Sequence, residues 1–97
     1  MKYTTKAEKA DFEKELLRFI RSEMVGDGTI VTKNGRVWLM FPGTLAMQHF
    51  PNKSYTQIKR MLESLVDRGV LVTEKISQQV FNQSNWYAFY NDEDSPV

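Results

Sequence analysis

An apolar stripe at helical spacing runs through the first quarter of the chain. Five residues recur at intervals of four, three and one, which places them on one face of an amphipathic helix: Phe12, Leu16, Phe19, Ile20 and Met24. Thr5 and Glu8 stand three residues apart in the form of a capping box. The pattern predicts a first helix over residues 5–24, ended by the Gly26-Asp27-Gly28 segment.

Two β-rich runs follow, one on either side of Asn34-Gly35. This dipeptide favours a type I′ turn, because both central residues of that turn need a positive φ. A two-residue loop predicts a hairpin in which Lys33 pairs with Arg36 and the other pairs follow in register. Because side chains alternate between the two faces of a strand, one face of the hairpin is predicted to face the core, with Ile30, Val37, Leu39 and Phe41. The other face carries Val31, Trp38 and Met40, which must be covered by other residues as well.

Two helices are predicted after the hairpin, a short one over residues 44–50 and a longer one over residues 55–68. Ser54 and Gln57 form a second capping box at the start of the longer helix. Gly69 stands where a left-handed C-terminal cap is expected. The side chains predicted to face inward in the short helix are Leu45 and Ala46, with His49 and Phe50 as further candidates. In the long helix they are Ile58, Met61, Leu62, Leu65 and Val66.

The last third of the chain predicts a second hairpin. Residues 70–76 and 85–90 are rich in β-branched and aromatic residues, and the amide-rich segment 77–84 between them is typical of a loop. Residues 91–97 are acidic and predict a flexible tail or linker after a domain over residues 1–90. The fold class is therefore α+β: three helices, an N-terminal hairpin between helices 1 and 2, and a C-terminal β-hairpin.

Charge is segregated along the chain, although the formal net charge is only +1. Residues 28–62 carry five cations and no carboxylate, a net charge of +5. Residues 1–27 net zero, and residues 63–97 net −4. A central third without acids is where a polyanion could bind, although chance in a short window is the other interpretation.

Two segments resemble a known family. Residues 54–72 resemble the recognition helix and first wing strand of winged helix-turn-helix proteins, where a Ser/Thr-rich start precedes Ile-x-Arg-x-Leu-x-x-Leu-x-x-x-Gly-Leu/Ile. Residues 81–87 are similar to the Asn…Trp-Tyr ending of winged-helix domains in phage and plasmid replication-initiator and regulator proteins. Those relatives often carry Asp-Arg-Thr where this chain has Gln83-Ser84-Asn85. The resemblance implies a winged helix whose C-terminal hairpin is the wing, and it implies binding to double-stranded DNA.

The N-terminal half of the third helix carries the candidate base-reading residues. Four residues lie opposite the apolar stripe, in the part that meets base edges when such a helix enters a major groove: Tyr55, Thr56, Lys59 and Arg60. Arg60 can donate two hydrogen bonds to guanine, and Lys59 can contact base or phosphate. Backbone N–H groups near Ser54 favour a phosphate at the helix start. An ordinary solvated helix face is the alternative.

Cations outside this helix complete the candidate site. Lys33 and Arg36 face each other across the first turn, and a nearby phosphate would relieve their repulsion. The alternative is that a charged hairpin tip keeps the sheet edge soluble. Lys53 precedes the third helix, and Lys75 lies at the base of the last loop.

Other chemistry has little support in the sequence. There is no Cys, and His49 is the only His, with no carboxylate between Gly28 and Leu62 to partner it. The longest apolar run, residues 37–41, is far shorter than the ~20 residues of a membrane span. We therefore expect no enzymatic activity, no cofactor, no metal and no membrane association.

The functional expectation is a cytoplasmic protein that binds duplex DNA. Its role would be transcription-regulatory or replication-origin-binding in a bacterial mobile element, with a homodimer or a replication or transcription protein left open as a further partner. The alternative is a winged-helix protein–protein interaction module without DNA binding. It would dock through the third helix or through the face that carries Val31, Trp38 and Met40.

Overall fold

The computed structural model describes residues 6–77 and 83–97, and the side chains of residues 7–74 and 85–97. Within this part the chain forms three α-helices and a four-stranded antiparallel sheet. In chain order the elements are α1 (Lys6–Val25), β1 (Ile30–Lys33), β2 (Arg36–Met40), α2 (Gly43–His49), α3 (Tyr55–Asp67), β3 (Leu71–Ser77), β4 (Gln83–Phe89) and a 3-10 turn (Asp92–Asp94). The α+β class is as predicted. The capping box at Thr5 lies outside the described residues.

The first hairpin confirms the register predicted from its turn. Asn34 and Gly35 have φ values of 55° and 76°, so both central residues are left-handed, as a type I′ turn requires. The pairs are Lys33 with Arg36, Thr32 with Val37, Val31 with Trp38 and Ile30 with Leu39. Local turn chemistry therefore sets which side chains of β1 and β2 share a face.

The strand order β1-β2-β4-β3 places the two hairpins side by side. β2 and β4 meet through two register pairs, Leu39 with Tyr87 and Met40 with Trp86. The Phe41 N–H extends the contact by donating to the Asn85 carbonyl, at 3.2 Å. This junction makes one sheet from segments that lie far apart in the sequence.

The second hairpin is longer than predicted. Pairing continues to Ser77 with Gln83, so the predicted loop over residues 77–84 is wrong at both ends. Polar residues with modest β propensity extend an existing antiparallel ladder because each new pair adds backbone hydrogen bonds to strands already aligned. Residues 78–82 lie outside the described residues.

The main core lies between one face of the sheet and helices α1 and α3. Phe19 makes edge-to-face contacts with Phe41 and Phe50, at ring-centroid distances of 6.2 and 5.9 Å. The buried side chains confirm the helix faces predicted from periodicity: Phe12, Leu16, Phe19, Ile20 and Met24 on α1, and Ile58, Leu62 and Leu65 on α3. Leu39, Leu71, Tyr87 and Phe89 line the sheet side of the same core.

The opposite face of the sheet builds a small cluster of its own. Trp38, Trp86 and Ala88 are buried there, and Val31, Met40 and Val72 pack against them. The Trp38 Nε1–H donates to the Lys33 carbonyl at 3.2 Å, which fixes the ring against the first hairpin. We call this surface the tryptophan face. The second apolar set of the hairpin thus finds its cover in side chains of β3 and β4.

Two apolar residues predicted to face the core are exposed instead. Leu45 is 42% exposed, because the two-turn helix α2 buries only Ala46 and turns the neighbouring position towards solvent. Ile30 is 43% exposed, because β1 is one of the two edge strands of the sheet. A short helix and an edge strand each bury fewer of their apolar side chains than a central element does.

The C-terminal segment lies against α1. The Arg21 Nε–H donates to the Asp94 carbonyl at 3.1 Å, and the same guanidinium lies 4.9 Å from the centroid of the Phe89 ring. The predicted flexibility of residues 91–97 stays a prediction. No helix in the described ranges is long and apolar enough to cross a membrane.

The phase of α3 gives a stability prediction. Leu62 is 3% exposed beneath α3, so Leu62→Ala should lower the free energy of unfolding by about 2–5 kcal/mol. The adjacent Glu63 is exposed, and Glu63→Ala should change it by less than about 0.5 kcal/mol. Urea denaturation of both variants measures the difference. Equal losses would mean that the face of α3 is wrongly assigned.

Candidate nucleic-acid interface

The start of α3 is fixed by its own side chains. The Ser54 Oγ accepts the Gln57 N–H at 3.1 Å, and the Gln57 side chain accepts the Ser54 N–H at 2.8 Å. This is the capping box predicted from the sequence, and it satisfies backbone donors that a helix start leaves unpaired. At the other end Gly69 has a φ of 76°, as predicted for a left-handed cap. Both ends of α3 are therefore fixed by local interactions, and its outer side chains project from a well-defined helix.

The four candidate base-reading residues are all exposed. Ile58, Leu62 and Leu65 face the core, and the opposite face of the N-terminal half is open to solvent. The exposed set is Tyr55, Thr56, Lys59 and Arg60. Each flank of this face borders a groove.

The first groove lies between α3 and the sheet, and we call it the sheet-side groove. Its volume is about 230 Å³, and Tyr55 and Lys59 line it together with Asn85 and Tyr87. The Tyr55 ring packs on the bare backbone of Gly43, where an added Cβ would lie 3.1 Å from the Tyr55 Cε2. The absence of a side chain at Gly43 thus makes room on α2 for the ring of Tyr55, the first residue of α3.

The second groove lies between α3 and α1, and we call it the α1-side groove. Its volume is about 310 Å³, and Lys53 and Arg60 line it together with Lys9. The Lys53 Nζ lies 5.0 Å from the centroid of the Phe12 ring, which forms part of the groove wall. The structure therefore joins two predicted site residues to a cation of α1. Sequence reasoning missed Lys9 because the charges of α1 balance when they are counted along the chain.

Lys33 and Arg36 lie apart from α3. They alternate with Val31 and Trp38 along their strands, which places them on the tryptophan face. Lys33 forms an ion pair with Glu74 of β3. The repulsion that a phosphate was expected to relieve is thus relieved within the protein.

Arg36 has contacts within the protein as well, but none of them is with a carboxylate. Its Nη2 donates to the Tyr90 carbonyl at 3.1 Å, and its guanidinium lies 5.7 Å from the centroid of the Tyr90 ring. The predicted site therefore falls into two groups on opposite faces of the sheet. Lys75 pairs in register with Asn85, and its side chain is outside the described set.

The remaining cations divide into those that form an ion pair with a carboxylate and those that do not. Arg18 pairs with Glu15 at 3.1 Å, and Arg68 pairs with Glu13. Among residues 7–74 and 85–97, Arg21 and Arg36 have no salt bridge but donate to backbone carbonyls. Five further cations in the same ranges have neither a salt bridge nor a side-chain hydrogen bond: Lys9, Lys14, Lys53, Lys59 and Arg60. Four of these five line one of the two grooves beside α3. Cations that have neither a salt bridge nor a hydrogen bond are therefore concentrated around this helix.

Tyr87 lies at the wall of the sheet-side groove. Burial raises the pKa of its phenol above the usual value of 10.0. A hydrogen bond with the Thr73 side chain lowers this pKa, and the nearby Tyr55 and Glu63 raise it further. The phenol therefore stays neutral well into the alkaline range.

His49 belongs to no group of candidate metal ligands among the described residues. Its ring is exposed and lies 5.1 Å from the Phe19 ring and 4.8 Å from the Phe50 ring, measured between centroids. No group of three or more candidate ligands is placed to hold a metal ion in the described part of the chain.

Comparisons with family models, with curated proteins and with solved structures find no match to this chain.

The pKa of Tyr87 gives a pH prediction. Because the folded-state pKa is raised, the neutral phenol contributes stability that is fully present below about pH 10 and is lost as the pH rises through the folded-state pKa. Tyr87→Phe should remove this part of the alkaline loss, and it should be measured by urea unfolding between about pH 8 and about pH 11. Tyr90→Phe is the control, because Tyr90 is 60% exposed. An unchanged pH profile in Tyr87→Phe would contradict the assignment.

Proposed function

We propose that this protein binds duplex DNA as a winged helix-turn-helix, with α3 in the major groove and the β3–β4 hairpin as the wing. The element order supports this proposal: α2 and α3 are adjacent helices joined by residues 50–54, and the hairpin follows α3 directly. The exposed N-terminal half of α3 has the position that a recognition helix needs.

The distribution of unpaired cations carries the proposal. Lys59 borders the sheet-side groove, and Lys9, Lys53 and Arg60 line the α1-side groove. A cation held by a carboxylate must break that pair before it neutralises a phosphate, whereas these four need not. Both flanks of α3 thus carry positive charge that can bind the phosphates of a DNA backbone.

The outer face of α3 supplies groups that read bases. Arg60 can donate two parallel hydrogen bonds to guanine O6 and N7. Lys59 serves base or phosphate, and Thr56 lies between these two cations on the exposed face. Tyr55 is 48% exposed, and its ring edge is available to a base or sugar beside the groove. These roles confine base reading to the first two turns of α3.

The biological role rests on the resemblance of residues 54–72 and 81–87 to winged-helix domains of phage and plasmid initiators and regulators. A cytoplasmic regulator of transcription or a replication-origin-binding protein of a bacterial mobile element fits that resemblance. Both roles use the same contact with duplex DNA.

A protein-docking module of the same fold is the competing function. The tryptophan face offers it little, because Trp38 and Trp86 are only 5% and 4% exposed. A docking module would therefore have to use α3, where the unpaired cations favour a polyanion over an apolar partner.

Fluorescence anisotropy on mixed-sequence duplexes at several salt concentrations tests the proposal. Each neutralised phosphate adds about −0.9 to the slope of log association constant against log salt concentration. Contacts by three to four cations should give a slope of about −3 to −4. The absence of binding at low salt would overturn the DNA function and leave the docking module.

The reading role of Arg60 gives a specificity prediction. Arg60→Ala should weaken binding to a preferred duplex by about 1–3 kcal/mol and flatten the preference at one base position. Arg60→Lys should keep the salt dependence but lose the preference, because Lys lacks the two-donor fork. Lys33→Ala is the control, because Lys33 is paired with Glu74 on the opposite face of the sheet. Unchanged preference in Arg60→Ala would mean that α3 does not read bases.

A further inference from the structure

The α1-side groove brings together three cations that belong to different parts of the chain. Lys9 lies in the second turn of α1, Lys53 precedes α3, and Arg60 lies on its outer face. The groove lining consists of these three residues with Phe12, Gln57, Met61 and Ser64, and it contains no carboxylate. Its volume is about 310 Å³, which leaves room for a phosphate group.

Charge defines the borders of this groove. On one side Lys53 separates it from a cleft lined by Glu8, Asp11 and Glu15. At the far end Lys9 borders a second cleft, where Arg68 is neutralised by Glu13. An anion entering the groove is therefore attracted by its three cations and repelled by the acidic side of α1. The wall that α3 contributes to the groove carries no acid.

We propose that the α1-side groove binds a phosphodiester of the DNA backbone, and that Lys9 of α1 is a phosphate-contacting residue of the interface. This inference rests on the proposed function and extends it from α3 to α1. Lys9 and Lys53 hold the phosphate, and Arg60 forms the border between this groove and the base-reading face. The contact sets the register of α3 on the duplex and carries no sequence information.

The mixed lining of the groove fits this role. Gln57 and Ser64 offer neutral donors beside the cations, as phosphate contacts in protein–DNA interfaces commonly do. Lys53 is held over the Phe12 ring at 5.0 Å, so part of its side-chain freedom is already lost before DNA binds. A partly ordered cation costs less entropy to engage than a fully mobile one.

The test compares Lys9 with Lys14 in the full chain. Both are exposed lysines on α1, and Lys14 lines neither groove beside α3. Anisotropy titrations of Lys9→Ala and Lys14→Ala are carried out over a range of salt concentrations, on a preferred and a scrambled duplex. Lys9→Ala should reduce the salt slope by about one unit and weaken binding about five- to tenfold near 0.1 M salt, equally for both duplexes. Lys14→Ala should change neither quantity. Circular dichroism checks that both variants fold.

The outcomes separate this inference from the function on which it rests. If the unaltered protein binds DNA and the Lys9 and Lys14 variants behave alike, the groove is not a phosphate site, and the DNA function stands. If Lys9→Ala alters preference between the two duplexes, Lys9 reads bases and the phosphate role is overturned. If the unaltered protein binds no DNA at low salt, the proposed function fails, and this inference fails with it.

A titration with inorganic phosphate distinguishes a backbone phosphate from a free one. Nuclear magnetic resonance of the unaltered protein should show no saturable shift at Lys9 or Arg60 in millimolar inorganic phosphate, because a single small anion gains too little from an open groove. Saturation by inorganic phosphate alone would identify a small-anion site and overturn the proposal.

Discussion

The pairing of β2 with β4 is the constraint on which the rest of the structure depends. Leu39 and Tyr87 form one of its pairs and face the helices, whereas Met40 and Trp86 form the other and face the tryptophan cluster. One short junction therefore anchors both apolar clusters. The entropy lost in closing a long loop between the hairpins is offset because both faces of the junction are buried. The same junction places the end of β2 beside Asn85, which builds one wall of the sheet-side groove.

Folding also sorts the charges of the protein. Long-range ion pairs neutralise Lys33 at the hairpin tip, through Glu74, and Arg68 at the end of α3, through Glu13. Surface ion pairs of this kind add little stability. Their larger effect is on the electrostatic field, because the Lys33–Glu74 pair reduces the positive potential of the tryptophan face, whereas the cations beside the N-terminal half of α3 stay unpaired. A protein of net charge +1 can thus present a strongly basic surface on one side.

The sequence predicts well those features of the structure that depend on residues close together in the chain. The hairpin register follows from Asn34-Gly35, the start of α3 follows from Ser54, and its end follows from Gly69. What tertiary packing decides could not be predicted. Leu45 has an apolar side chain in a helical pattern, but whether it is buried depends on which face of α2 meets the core. The candidate site divides in the same way: the exposed face of α3 follows from its period, whereas the partner of Lys33 and the position of Lys9 depend on distant segments.

The position of the tryptophans gives the protein a selective optical reporter. Both tryptophans of the chain, Trp38 and Trp86, lie in one buried cluster on the side of the sheet away from α3. Their fluorescence emission therefore senses whether the two hairpins are joined, and it is shielded from a ligand that approaches the helix. Thermal or chemical unfolding can be followed by this emission without a label. A spectral change on adding a ligand to the folded protein would mean that the ligand rearranges the sheet.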